Sequence, residues 1–340
     1  MKKVYYIGEL PPPYGGVAVK NALIYESILS DKNVEMIDMV DCRRGVIKTI
    51  KCCLKFIRAL LGKNDIIVGL GASNRRDFVL KAYRILHGKS SLNRVHLMTM
   101  GGRFHKFVEE SPFLQETVKY LGTIWVEAYS IKDAIEKYGA KNVKYFPNCR
   151  TSAGKVAPRV SFPDEPLRLV FYSRICEEKG LYDVLQLKDF LEENNLVIDF
   201  YGEIEKKDKE RFELAVSTSK CFVYKGVFDA AHNSVYKMLN AYDVLLFPTH
   251  WKGEGVPGVL VEAKFAGITV IASDWNYNKE IIRDDKDGII VKNLEEMRSE
   301  IARLKDDRKL LDRLKKCSFE SGVRYEIETY REDLWRCLNC

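Results

Sequence analysis

Short apolar runs alternate along the chain with longer stretches that mix apolar and polar positions. Val4–Gly8, Asp65–Leu70, Arg94–Met100, Thr123–Glu127 and Val143–Phe146 read as strands. Val17–Leu29, Arg75–Leu86 and Ile131–Tyr138 between them read as helices. After Pro147 the alternation pauses. Thr151–Pro166 has no apolar period and contains Ser, Ala and Pro, which predicts an interdomain linker. It then restarts with strands at Leu167–Tyr172, Val197–Gly202, Cys221–Gly226, Asp243–Phe247 and Ile268–Ala272. Helices are expected up to about Glu193, over Lys206–Ser217, from Pro257, over Leu294–Cys317 and over Glu320–Leu338. The fold class is therefore α/β, with a doubly wound parallel sheet in each half whose ligands lie at the C-terminal strand ends.

Composition fits that reading. A chain of 340 residues is long enough for two cores, and 46% hydrophobic with 30% charged residues is ordinary for a globular protein. No apolar run is long enough to span a bilayer, and MKKVYYIGEL is too short in apolar length for a signal peptide. The nine cysteines lack a disulfide-like spacing. Cys52 and Cys53 are adjacent, and Cys337 with Cys340 form a C-x-x-C without a second pair or a nearby histidine for zinc. Reduced thiols in a cytoplasmic protein are expected.

Charge changes the picture more. Residues 1–159 carry 27 Lys/Arg and 14 Asp/Glu, a net of +13, whereas residues 160–340 carry 28 and 34, a net of −6. A basic half suggests an anionic partner. No nucleic-acid recognition motif accompanies it, so nucleic acid is not expected. Seven of the cations fall within 43–63, RRGVIKTIKCCLKFIRALLGK, which has no acidic residue. Ile47, Ile50, Leu54, Ile57 and Leu61 share one helical face, while Arg44, Lys48, Lys51, Lys55 and Arg58 lie on or beside the other. Two readings stand: contact with an anionic membrane surface, or a core-facing helix with a solvated basic face.

Candidate chemistry concentrates in Phe247–Asp274, FPTHWKGEGVPGVLVEAKFAGITVIASD. A strand leads into a loop with Gly253 and Gly255, and Pro257 stands at the start of a helix that Gly267 ends. Free backbone N–H groups at such a helix start make an anion site. Glu254 and Glu262 bracket it, and an ionised carboxylate only accepts hydrogen bonds, which suits a hydroxyl-rich ligand. Sugar plus phosphate fits. Taken singly, Glu254 reads as a helix cap and Glu262 as a solvated surface side chain; as a pair they read as ligand contacts. Gly15-Gly16, before the first helix, lets backbone N–H groups approach a phosphate. Neither G-x-G-x-x-G nor a P-loop is present. Arg174 and Lys179 sit where a strand passes into a helix, a natural place to clamp a diphosphate, or to pair with Glu177 and Glu178. Asp284–Gly288 lacks EF-hand spacing and reads as a turn.

Three of these patterns together resemble the retaining, GT-B-fold glycosyltransferases of family 4, the group 1 type of bacterial polysaccharide and lipopolysaccharide synthesis. They are P-P-x-Y-G-G at Gly15-Gly16, S-R-x-x-x-E-K-G at Arg174 to Gly180, and E-G-V-P-G-V-L-V-E-A at Glu254 to Glu262. The resemblance implies two Rossmann-like domains facing a cleft, a last helix crossing back to the N-terminal domain, and boundaries at 1–155, 156–319 and 320–340. It implies that Arg174, Lys179, Gly15, Gly16, Gly255, Val256 and Pro257 bind the donor diphosphate. Glu254 would hold the donor sugar, Glu262 the ribose, and Gly202, Val227 and Phe228 the base. Glu254, Arg174 and Lys179 are the catalytic candidates. HLMTMGGRFHKF resembles the family's acceptor loop, giving Gly101, Gly102 and His105 as acceptor-side candidates, although Met100 stands where a histidine is implied.

The function expected is transfer of a UDP- or GDP-linked sugar, with retention through a front-face mechanism, to a hydroxyl of a glycan or lipid-phosphate-linked acceptor. The site would be at the cytoplasmic face of the inner membrane. No cofactor and no metal is expected, since Arg and Lys supply positive charge and no D-x-D is evident. The alternatives are a GT-B-fold epimerase or phosphorylase, and a non-catalytic, membrane-associated sugar-nucleotide-binding protein.

Overall fold

The computed structural model describes residues 3–12, 15–30, 33–41 and 45–338. Arg43 and Arg44 of the basic segment, Tyr14 of the first glycine loop and Cys340 of the C-x-x-C lie outside them. The chain divides into two compact units, Met1–Thr151 with Tyr325–Cys340, and Ser152–Arg324.

The first unit is a parallel sheet of β1 (Val4–Gly8), β2 (Val34–Asp38), β3 (Asp65–Gly69), β4 (Val95–Met98), β5 (Thr123–Val126) and β6 (Val143–Tyr145). Its order is β2-β1-β3-β4-β5-β6. The central strands β1, β3, β4 and β5 are buried throughout, as parallel strands covered on both faces must be. Its helices include α1 (Gly16–Ile24), α2 (Val46–Leu61) and α3 (Ser73–His87). Buried Asn21 of α1 ties strand ends together. Its Nδ2 donates to Gly69 O and Glu9 O, and its Oδ1 accepts from Tyr6 Oη at 2.5 Å. The C-terminal segment completes this unit's core: Ile327, Leu334 and Leu338 are buried against Val4, Ile28 and Phe146.

The second unit repeats the plan with β7 (Arg168–Tyr172), β8 (Val197–Tyr201), β9 (Phe222–Tyr224), β10 (Val244–Phe247), β11 (Thr269–Ser273) and β12 (Ile289–Val291). Its order is β12-β11-β10-β7-β8-β9, again all parallel. Strand order therefore reverses between β7 and β10, and the crevice outside the C-terminal ends of those two strands is where such sheets bind ligands. The α/β expectation of two doubly wound parallel sheets is borne out.

Several local expectations change. β2 and β12 are strands that the apolar pattern does not single out; each is an edge strand, and β2 carries Glu35 and Asp38. The single helix expected over Leu294–Cys317 is two, Leu294–Asp306 and Arg308–Ser321, because Asp307 caps the second by accepting from Leu310 N at 2.9 Å. Glu320–Leu338 is likewise broken into short turns before the helix Arg331–Cys337. Residues 152–166 are not a free linker in form. They run along the second unit, with Val156 N on Phe265 O and Arg159 on Asp243.

The basic helix α2 forms, but with its apolar stripe turned outward. Cys52, Ala59 and Leu60 face the unit's interior, and Ile47, Ile50, Leu54, Ile57 and Leu61 are exposed. The core-facing reading is thereby overturned: the spacing is helical, yet the stripe it defines is not the buried one.

Candidate active site

Two loops meet at the switch point of the second unit. One follows β7 and carries Ser173, Arg174 and a short turn at Glu177–Lys179. The other follows β10 and runs from Pro248 to Pro257. Gly180 lets them close. It takes the left-handed region at φ 83°, and a Cβ there would stand 2.3 Å from Pro248 O, so no other residue fits. Gly202 does the same for β8, where a Cβ would lie 1.8 Å from Ser173 O. That is its observed role, a close backbone approach behind Arg174.

Lys179 is buried, and its Nζ pairs with Glu254 Oε2. Thr249 Oγ1, fully buried, donates to the same oxygen at 3.0 Å. A buried ion pair needs such extra hydrogen bonds to offset desolvation. Both cations approach the Trp251 ring: the Arg174 guanidinium is 5.0 Å from it and Lys179 Nζ 4.7 Å. Lys179 also faces the Phe247 ring at 5.7 Å. Arg174, Lys179 and Glu254 are thus brought together around an indole that spacing alone gave no reason to single out.

A second loop holds this one in place. Trp275 Nε1 donates to Trp251 O at 2.9 Å, and Asn276 Nδ2 to Glu254 O at 3.1 Å. Asn276 does so from φ 43°, an unfavourable region for a side-chain-bearing residue. The helix expected from Pro257 begins at Gly258, with Pro257 as its cap, a shift of one residue. Val256 and Pro257 are buried, Gly255 half-buried, and no side chain caps the helix, which leaves its first N–H groups facing the loop. Glu262 is half-buried on that helix. At the ends of β7 and β8, the Phe228 ring meets Tyr172 and Tyr201 edge-to-face at 6.4 and 6.2 Å. Val227 beside it is exposed. These aromatics form a platform; the two tyrosines read in the sequence only as strand residues.

Cys176, Glu178 and Glu205 offer ligand atoms within 4.8 Å of one another. Burial pushes the Cys176 thiol up to about 11, away from the thiolate a metal takes, and Glu178 pairs with Lys207 at 2.5 Å.

In the first unit, Gly15 precedes α1 as its cap and Gly16 begins it, with open space where either would carry a Cβ. Gly101 sits at φ 85° after β4. Met100 packs on the core, which explains an apolar residue there. His105 is half-buried on the helix Phe104–Glu110. Its Nδ1 has no hydrogen-bond partner, and burial with nearby Lys106 holds its pKa below the usual imidazole range. Near these loops is a buried pair the sequence separates by 107 positions, Lys20 Nζ on Glu127 Oε1 at 2.5 Å, with Lys20 also donating to Thr99 O.

Residues 155–320 match the family profile described as Glycosyl transferases group 1. Those residues, just under half of the chain, are a group 1 glycosyltransferase domain. The resemblance seen in the sequence motifs is borne out for this domain, whose family is one of sugar-transferring enzymes. A curated relative, the Escherichia coli UDP-Gal:alpha-D-GlcNAc-diphosphoundecaprenol alpha-1,3-galactosyltransferase, is 24% identical over 152 residues. That stretch is 42% of this chain and 38% of the relative, so the match spans under half of either. Among solved structures, Anabaena HepE in complex with UDP and glucose superposes with a TM-score of 0.70 at 13% identity over all of both chains. Sucrose-phosphate synthase from Thermosynechococcus elongatus gives 0.73 at 14%, covering 100% of this chain and 98% of that one. At such identities the likeness shows the fold, GT-B. Among the described residues no helix is long and apolar enough to cross a membrane.

Proposed function

We propose that this glycosyltransferase moves a sugar from a nucleoside-diphosphate donor to a hydroxyl of a glycan or lipid-phosphate-linked acceptor, retaining the anomeric configuration, in cell-surface polysaccharide synthesis. The observation that carries the reading is the Arg174–Trp251–Lys179–Glu254 cluster at the β7/β10 switch point. Lys179 has a carboxylate as its partner, and a donor diphosphate offers it a stronger one. In this reading Lys179 turns to the phosphates, and Glu254, released, accepts hydrogen bonds from the sugar hydroxyls. Arg174 and the start of the helix at Gly255, Val256 and Pro257 stabilise charge as it develops on the leaving diphosphate. That charge then deprotonates the attacking hydroxyl on the same face of the sugar, which gives retention without a protein nucleophile.

Glu262 holds the ribose, and the base lies by Gly202, Val227 and Phe228. The relatives whose names carry UDP favour UDP over GDP. The first unit supplies Gly15 and Gly16 for phosphate, and Gly101, Gly102 and His105 for the acceptor. No metal enters these steps. The acceptor is presented at an anionic membrane surface, the cytoplasmic face of the inner membrane, which 43–63 contacts.

The test is thermal unfolding in a panel of UDP- and GDP-sugars, followed by release of nucleoside diphosphate with and without acceptor. A matching donor at a hundred times its Kd adds about 2.7 kcal/mol of stability. Release that needs no acceptor would favour an epimerase or phosphorylase. Protection without turnover would leave a binding protein, and no protection by any sugar nucleotide would end the reading.

A further inference from the structure

The outward stripe of α2 is unusual for a surface helix. Ile47 is 72% exposed and Leu61 62%, with Val46, Ile50, Leu54 and Ile57 exposed beside them. Helix α3 extends the same surface. Its Phe78 is 60% exposed and Ile85 81%, and Leu86 is exposed as well. The Phe56 and Phe78 rings stack at 6.4 Å with 13° between their planes, and Leu60 O is 2.6 Å from His87 Nε2, so the two helices adjoin along their length. Apolar surface concentrated this way marks a binding face.

Charge says for what. Residues 46–64 contain no Asp or Glu, and Lys48, Lys51, Lys55 and Arg58 border the stripe along one edge. Lys48 and Lys55 lean toward Asp41 at 3.9 Å and Glu35 at 3.1 Å. Lys51 and Arg58 have no carboxylate partner among the described residues. Protein interfaces are depleted in lysine, whereas bulky apolar side chains edged by Lys and Arg match the boundary between acyl chains and anionic headgroups.

We propose that the outer face of α2 and α3 inserts into an anionic lipid bilayer, with Ile47, Ile50, Leu54, Ile57, Leu61 and Phe78 entering the acyl boundary and the bordering cations at the headgroup phosphates. The inference rests on the membrane contact of the proposed function and deepens it. It adds α3 to the surface, and it makes apolar insertion, not charge alone, the anchor.

The experiment is flotation of the full chain with phosphatidylcholine vesicles, with and without phosphatidylglycerol, at low and high salt. The protein floats with the anionic vesicles and is partly retained at high salt, where adsorption by charge alone is lost. Ile50→Ser/Leu54→Ser/Ile57→Ser reduces binding at least tenfold at unchanged thermal unfolding, since these side chains are already in water. Lys51→Gln/Arg58→Gln weakens binding roughly thirtyfold, and Phe78→Ser/Ile85→Ser weakens it further. Absence of flotation overturns the inference, as does a triple serine variant that floats like the parent. A self-associated species in sedimentation that the triple variant dissolves would make a second copy the occupant, and also overturns it. Sugar-nucleotide protection measured on the same samples separates the two claims. Protection without flotation removes this inference alone, and flotation without protection supports it while removing the transferase reading.

Discussion

The two units share one sheet plan and differ in what stands at the strand ends. In the second unit the β7 and β10 loops bring two cations to one indole and pair one of them with a carboxylate. In the first, the matching ends carry glycines with open space over Gly15, Gly16 and Gly101, and the charged pair Lys20–Glu127 is buried. A site built from charges has to be fixed before its ligand arrives, because a misplaced buried charge is costly. Glycine loops instead offer backbone N–H groups and leave room. The contrast predicts a second unit that selects its ligand by charge and a first unit that selects by shape.

The strongest way to break the contrast is at Lys179. Lys179→Ala leaves Glu254 buried and unpaired, and lowers stability by about 3 kcal/mol while abolishing turnover. Lys179→Ala/Glu254→Ala recovers part of that stability without turnover. Urea unfolding and a turnover assay read both, and additive losses would mean the pair is not coupled.

A comparable effect distinguishes the first unit through pH. His96 is buried on Trp125, and burial brings its pKa down to about 4 from 6.5. The unfolded chain then binds the proton first as pH falls. The stability present above about pH 6.5 is lost progressively toward pH 4, about 3 kcal/mol in all. His96→Phe flattens that slope in thermal unfolding across the range. An unchanged slope would place the acid sensitivity elsewhere.

The smallest effect sharpens the comparison most. Asn276→Gly removes one hydrogen bond to Glu254 O and also relieves a left-handed backbone, so stability changes by less than about 1 kcal/mol. With the loop less firmly held, kcat falls roughly tenfold. Equal kcat in the variant would show that the loop holds itself.

Much of this was legible in the sequence because it is local. Buried parallel strands are near-continuous apolar runs, and the motif residues Arg174, Lys179 and Glu254 sit in the loops that follow them. What escaped depends on distance or on edges. Lys20 and Glu127 meet only after the sheet assembles, and Trp251 acquires meaning only when Arg174 and Lys179 both arrive at its ring. β2 hides among Glu35 and Asp38 because an edge strand need not be apolar throughout. The periodicity of α2 was plain, yet a period gives a stripe without saying which way it faces. The side chains that seat this helix are Cys52, Ala59 and Leu60, a smaller set than the stripe.

The core of the first unit is closed by residues that follow the whole second unit in the chain. Ile327, Leu334 and Leu338 are buried beside Val4, Ile24 and Ile28, about 300 positions earlier. During synthesis the first 151 residues must therefore wait, with part of their interior unfilled, while the whole second unit emerges and can fold independently. The ribosome thus finishes the second unit before the first can be complete, although it begins them in the opposite order.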